Sequence, residues 1–208
     1  MTNEYITVEG VSTAEYTEKH SRFIANAYFC DTAEKAVEII SQQRQKYWDA
    51  RHNVYAYVLS DGTARFSDDG EPHGTAGKPI LDVILGSGVV NVLVVVTRYF
   101  GGILLGTGGL VRAYSTSAKQ SLEEAVRVQM TPCTEFTVSC DYSVHARLVR
   151  LIEDCGGMIQ NTEFTDKIDI TFLFRDTDCA VFTDKLCEVF ASKIEAKAQK
   201  SSLFPFKI

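Results

Sequence analysis

No two cysteines in this chain stand in a C-x-x-C pair, only four prolines interrupt it, and no apolar run approaches the length of a membrane span. Each absence excludes something. The six cysteines, Cys30, Cys133, Cys140, Cys155, Cys179 and Cys187, include residues in apolar slots such as the third position of Phe136, Val138, Cys140. They read as reduced, small core hydrophobes, which excludes a disulfide framework and a zinc ribbon. The most apolar stretch, VVNVLVVV from Val89 to Val96, is far too short to cross a bilayer. The opening MTNEYITVEG carries acidic residues and no apolar targeting core, so a cytoplasmic location without a membrane partner is expected. A basic excess is missing too: the net charge is −6, with 12 Lys and Arg against 15 Asp and Glu in residues 1–130 and 9 against 12 in the remainder. Affinity for nucleic acid rests on neutralising phosphates, so avid nonspecific binding is excluded and only a local cluster of cations could serve.

The 208 residues suffice for two small domains. Ile6 and Val8, then Arg22 to Phe29, alternate as half-buried strands do. Asp31 with Glu34 reads as a capping box, opening a helix with Ala33, Ala36, Val37, Ile40 and Tyr47 at helical spacing. Asn53 to Ser60 predicts a strand, and Asp61-Gly62 a hairpin turn into the short partner TARFS. A helix from Pro79 to Leu85, ended by Gly86, precedes NVLVVVT, which is apolar on both faces and so belongs in a sheet covered on both sides. A helix from about Gly109 to Arg127 then turns Leu110, Tyr114, Ala118, Leu122 and Ala125 inward. Thr131-Pro132 reads as a linker. Beyond it the pattern restarts as TEFTVSC, a helix capped by Ser143, strands Met158 to Phe164 and Ile168 to Phe174, a helix capped by Asp176 or Asp178, and a strand from Ile194 to Leu203. That order is βαββαβ, the split ferredoxin-like motif. Phe172 and Phe174 share a face with Ile168 and Ile170, which makes them core rather than a platform for bases.

Between NVLVVVT and the following helix, five glycines fall within Gly101 to Gly109. Strand, glycine turn and helix point backbone N–H groups at an anion, so the geometry permits a phosphate. The nucleotide fingerprints fail, because Val111 stands where G-x-G-x-x-G needs glycine and Thr107 where Walker A needs lysine. A mere turn with close helix–sheet approach stays open beside an anion site. Arg98 before the turn and Arg112 inside the helix favour a site, since a buried arginine needs a partner. That partner can be internal: Asp68-Asp69-Gly70-Glu71-Pro72-His73 supplies three carboxylates and an imidazole. The loop reads first as a turn whose carboxylates pair with Arg98 or Arg65, and second as a hard-metal or acid/base cluster. It matches no zinc spacing, and no G-x-S-x-G is present, so neither a metal nor a cofactor is implied. His52 is expected to be an ordinary hydrogen-bonded histidine.

The segments SDDGEPHGTAGKPIL (Ser67 to Leu81), VVTRYFGGILLGTGGLVRAY (Val95 to Tyr114), SRFIA (Ser21 to Ala25) and HNVYAY (His52 to Tyr57) resemble the signature segments of the Impact family, and the two-part layout resembles its bacterial, YigZ-type branch. The resemblance spans essentially the whole chain. It implies an α+β protein: a ribosomal protein S5 domain 2-like domain over 1–130, then a ferredoxin-like domain over 131–208 similar to the last domain of elongation factor G. That pairing resembles the tail of a translational GTPase and implies RNA or the ribosome as partner. Eukaryotic relatives regulate a kinase through an additional N-terminal domain, and because the family segments start at Ser21 this role is not carried over. The motif positions carried over, as lining of a shared cleft, are Asp68, Asp69, Glu71, Thr75, Arg98, Gly101, Gly102, Gly106 and Arg112.

The expectation is a noncatalytic, translation-associated protein whose cleft, lined by Arg98, Arg112 and the glycine-loop N–H groups, contacts RNA phosphates while Asp69 and Glu71 orient the arginines. The ferredoxin-like sheet would dock on RNA or a protein partner, and Arg98→Ala would weaken binding without unfolding. Two alternatives remain open: a metal-assisted enzyme on a phosphorylated or nucleotide substrate, with the metal at Asp68, Asp69 and Glu71, and a purely protein-binding adaptor.

Overall fold

A computed structural model describes residues 4–208, so the first three residues of the expected 1–130 domain lie outside the described residues. Two compact units emerge. One comprises Tyr5–Gln129 with Lys207–Ile208, and the other Met130–Phe206 with Glu4. Both are α+β with antiparallel strand pairs.

In order, the N-terminal unit contains β1 (Tyr5–Glu9), β2 (Val11–Glu18), β3 (Ser21–Phe29), α1 (Ala33–Lys46), β4 (His52–Val58), β5 (Ala64–Ser67), α2 (Gly77–Ser87), β6 (Val92–Tyr99) and α3 (Gly106–Glu123). Its sheet runs β2-β3-β6-β4-β5, with β6 at the centre. The double-sided apolarity of β6 is explained by what covers it. Val92, Val94 and Val96 pack toward Ile80 and Ile84 of α2 and Leu110 and Tyr114 of α3. Leu93 and Val95 pack toward Ala36 and Ile40 of α1. A central strand buried on both faces must read as continuous β-branched sequence.

Several local expectations need correction. The cap of α1 is Thr32, whose hydroxyl accepts from the Lys35 N–H, and Val37 points into solvent. Helix α2 continues through Gly86 and ends at Gly88, whose φ of 72° suits a left-handed terminator. Strand β2 was not anticipated; its burial alternates between exposed and intermediate, so no apolar stripe marks it.

The next strand, β7 (Val126–Cys140), runs straight through Thr131-Pro132, and the division between the units falls inside it. The expected linker is therefore strand. Pro132 is tolerated because the β7–β9 ladder begins one residue later, at Cys133 opposite Arg175, so the missing N–H costs no bond to that neighbour. The C-terminal unit continues with α4 (Tyr142–Asp154), β8 (Met158–Phe164), β9 (Ile168–Arg175), α5 (Cys179–Phe190) and β10 (Lys197–Lys207). Asp141 occupies the N-cap position of α4 in place of Ser143, and Asp178, one of the two expected residues, that of α5. The sheet runs β1-β7-β9-β8, and β10 also pairs with β7, so the strands of this unit stand as β10-β7-β9-β8. Phe136, Phe172, Phe174 and Phe182 form one ring cluster, with Phe174 and Phe182 stacked at 4.4 Å, so Phe172 and Phe174 are core.

Candidate functional site

The even-numbered residues of β6 face the α2–α3 layer, and Arg98 closes that row at the end of the sheet. It stands in register with Phe23 of β3 on one side and His52 of β4 on the other. The side chain is held in the protein, with the residue 6 % exposed. One terminal nitrogen donates to Glu71 Oε1 at 2.5 Å and the other to Ser21 Oγ at 3.4 Å. The guanidinium carbon lies 5.5 Å from the Phe23 ring centre and 5.6 Å from that of Phe100, while Nε is buried without a hydrogen-bond partner.

Glu71 arrives from the loop between β5 and α2, and Tyr114 from α3. The Tyr114 hydroxyl donates to the same Glu71 oxygen at 2.9 Å. Burial, reinforced by the Glu71 charge, pushes the Tyr114 pKa far above the usual phenol value, so the group remains a proton donor. His52 Nδ1 lies 2.8 Å from the Asp69 carbonyl oxygen, which can only accept. The proton therefore sits on Nδ1, and Nε2 faces Glu71 Oε1 at 3.9 Å. Two strands and a helix thus converge on one carboxylate oxygen supplied by the loop.

Above this floor opens a cleft of about 390 Å³, whose lining includes Arg51, His52, Phe100, Leu104, Gly106 and Thr107. Helix α3 starts here, after Leu105, without a side-chain cap. Its first N–H groups have no partner within the helix and bring the positive end of an 18-residue dipole to the cleft. The rim is apolar, with Leu104 83 % exposed. The glycines have specific work. A Cβ on Gly101 would stand 2.0 Å from the His20 carbonyl carbon, so the loop can lie on the β2–β3 turn only with hydrogen there, and Ser21 Oγ accepts the Gly101 N–H at 3.2 Å. Gly102 and Gly106 take φ of 85° and 70°, which side-chain-bearing residues rarely adopt.

The other motif positions are placed as follows. Asp68 accepts from the N–H groups of Gly74, Ala76 and Gly77, and so caps the start of α2. The Thr75 hydroxyl, nearby and buried, donates to the Pro72 carbonyl. Asp69 pairs with Arg44 at 2.6 Å and accepts from the Asn53 N–H; it orients neither Arg98 nor Arg112. Arg112 is exposed and lines a second, smaller pocket with Tyr16, Glu18 and Lys19, so it does not share the Arg98 cleft. Arg65, the other expected partner of the acidic loop, takes no part, and His73 is held 3.7 Å from Asp68 with its side chain almost fully exposed. The three carboxylates diverge, each already engaged, and among the described residues no group of three His, Cys, Asp or Glu could hold a metal ion.

Sequence reasoning gave His52, Tyr114, Ser21 and Arg51 no part in the site, although Ser21 and His52 open two of the signature segments. A signal existed for His52: by strand alternation it shares the face of Val54, Ala56 and Val58, all core residues of the α2–α3 layer. Tyr114 sits on the predicted inward stripe of its helix, but the destination of its hydroxyl depends on a loop 43 residues earlier.

Comparison with known proteins extends this picture. Residues 19–122 match the Impact N-terminal domain, and residues 138–193 match a domain of unknown function designated DUF1949. The chain is 38 % identical to the IMPACT family member YigZ of Escherichia coli (strain K12) over 86 % of its own length and 90 % of that protein. It is 30 % identical to the IMPACT family member YvyE of Bacillus subtilis (strain 168), over 95 % and 92 %. A crystal structure described only as that of a hypothetical protein is matched over 96 % of this chain and 99 % of that one, at 34 % identity and a TM-score of 0.62.

Proposed function

This chain belongs to the Impact family, and on that premise we propose that it is a noncatalytic, cytoplasmic regulator of translation that binds RNA or the ribosome through the cleft at the start of α3. The charge balance of the cleft carries the reading. Arg51, Arg98 and the uncapped N–H groups of α3 converge there, and Glu71 is already engaged by Arg98 and Tyr114. An entering phosphate meets donors on several sides. The exposed Arg51 makes the contact, while Arg98 acts from the floor as a fixed, partly neutralised charge.

The same reading takes 1–130 and 131–208 as the functional domains. The first is ribosomal protein S5 domain 2-like and the second ferredoxin-like, as in the last domain of elongation factor G. The element order β7-α4-β8-β9-α5-β10 with strand order β10-β7-β9-β8 supports the ferredoxin-like assignment. RNA is assigned to the N-terminal cleft rather than to the C-terminal sheet, where a pocket lined by Glu163, Asp169, Glu195 and a single Lys197 is unfavourable to phosphates. The divergence of Asp68, Asp69 and Glu71 weighs against the metal-assisted alternative.

Ribosome co-sedimentation from low to physiological salt tests the proposal. Salt-sensitive binding that weakens in folded Arg51→Ala is expected, because losing one phosphate contact removes about one unit from the salt slope. Absence of co-sedimentation even at low salt would refute it.

A further inference from the structure

The site extends beyond the cleft itself. Arg44-Gln45-Lys46-Tyr47-Trp48-Asp49-Ala50-Arg51-His52 runs from the last turn of α1 to the first residue of β4, and its last two residues line the cleft. It carries three cations against one carboxylate in a chain whose net charge is −6. Trp48, the single tryptophan of the protein, is 82 % exposed within it. A tryptophan is usually buried over most of its surface, and here that surface faces solvent.

Trp48 stands on a held turn. The Ala50 N–H donates to the Tyr47 carbonyl at 3.0 Å, and the Tyr47 N–H to the Gln43 carbonyl at 2.9 Å. The Asp49 carboxylate accepts from the Tyr99 hydroxyl at 2.8 Å, which ties the turn to the end of β6. That bond engages the one carboxylate of the segment. Lys46 lies over the Tyr47 ring at 5.0 Å, and Arg44 pairs with Asp69. The side chain of Arg51, exposed, makes no hydrogen bond or ion pair among the described residues, and the residue is three positions from Trp48, at most about 11 Å along the chain. A fixed, solvent-facing indole beside such cations has the make-up of a site for unpaired bases: the ring stacks a base and the cations follow its backbone. A duplex keeps its bases stacked inside and offers the indole nothing.

We propose that Trp48 is a stacking platform for a base of single-stranded RNA, whose backbone then runs past Arg51 into the α3 cleft. The proposal rests on the RNA-binding reading above and adds to it the strand state of the RNA and the residue that senses it.

The test uses the intact protein, an unlabelled oligouridylate of about ten nucleotides for Trp48 emission, and its fluorescein-labelled form for anisotropy. Because Trp48 is the only tryptophan, its emission reports this position alone. Expected are quenching by the single strand but not by a duplex of equal length, and a loss of affinity of roughly ten-fold in Trp48→Ala. Trp48→Ala should retain the parent circular dichroism and melting temperature, since an exposed side chain contributes little to stability. Binding that weakens in Arg51→Ala while Trp48 emission stays constant and Trp48→Ala binds like the parent would overturn the platform and leave the cleft standing. An oligonucleotide that fails to bind while ribosomes still co-sediment would do the same. Failure of both binding assays would overturn the platform together with the reading beneath it.

Discussion

Replacing Arg98 by methionine removes the guanidinium that lies near the Phe23 and Phe100 rings, and with it one charge from the floor of the cleft, while keeping an unbranched aliphatic stem. The paired side chains are almost wholly enclosed, at 7 % and 3 % exposure, so Glu71 cannot turn to water when its cation disappears. It would retain only the Tyr114 hydroxyl, because His52 turns its unprotonated Nε2 toward it. Breaking a buried pair from one side costs about 3–5 kcal/mol, mostly the desolvation of the stranded charge. For a protein of this size that corresponds to a fall in melting temperature of roughly 10 °C. Urea unfolding followed by circular dichroism measures it, and the comparison that isolates the pair is Arg98→Met/Glu71→Leu. With both charges removed, the double variant should be more stable than Arg98→Met. A loss below about 1 kcal/mol in Arg98→Met, the range of solvent-screened pairs, would refute the reasoning. This cost also means that Arg98→Ala cannot report binding cleanly, contrary to the sequence-based expectation, and Arg51 replaces it as the probe of the cleft.

Three further outcomes follow from contacts described above. Asp68→Ala strips the cap from α2 and should cost about 1–2 kcal/mol in thermal or urea unfolding. Gly101→Ala should destabilise strongly, because its methyl group meets the His20 backbone, whereas Gly108→Ala, in open space inside α3, should be neutral or stabilise by up to about 1 kcal/mol; the two melting temperatures decide this. On the alkaline side, burial holds the Tyr28 phenol at about 12 and raises that of Tyr114. The folded state therefore binds these protons more tightly than the unfolded chain. Stability should stay level up to about pH 10 and then decline through the folded values, a decline that Tyr28→Phe should make shallower.

What the sequence disclosed about this protein divides along the range of the interactions. The two-faced apolarity of β6, the inward stripe of α3 and the core placement of Phe172 and Phe174 are properties of neighbouring residues and hold in the structure, except that α3 ends at Glu123 and leaves Ala125 of the expected stripe beyond the helix. Capping residues were displaced by a position or two: Thr32 and Asp31 are chemically equivalent competitors for the same N–H groups, and Asp141 holds the N-cap position of α4 without a side-chain bond to it. The motif residues around the cleft were also legible as types, but not their pairings. Three carboxylates within four residues look alike in sequence; Asp68 turns to a helix N-terminus, Asp69 to Arg44 and Glu71 to Arg98 because each leaves the loop in a different direction.

The same limit explains Arg98 and Arg112, which the sequence treats as equals. Arg98 ends the middle strand of the sheet, where β3 and β4 flank it and α3 crosses over it, so it must be buried and paired. Arg112 lies on the solvent side of α3, toward Glu18 and Lys19. An arginine in the first position sets the field of a cleft, and one in the second adjusts a surface. Charge reversal separates them: Arg112→Glu should leave melting temperature and ribosome binding near the parent values. A large loss of co-sedimentation in that variant, with the fold intact, would move the binding face from the start of α3 to its side and oblige the ligand to span both pockets.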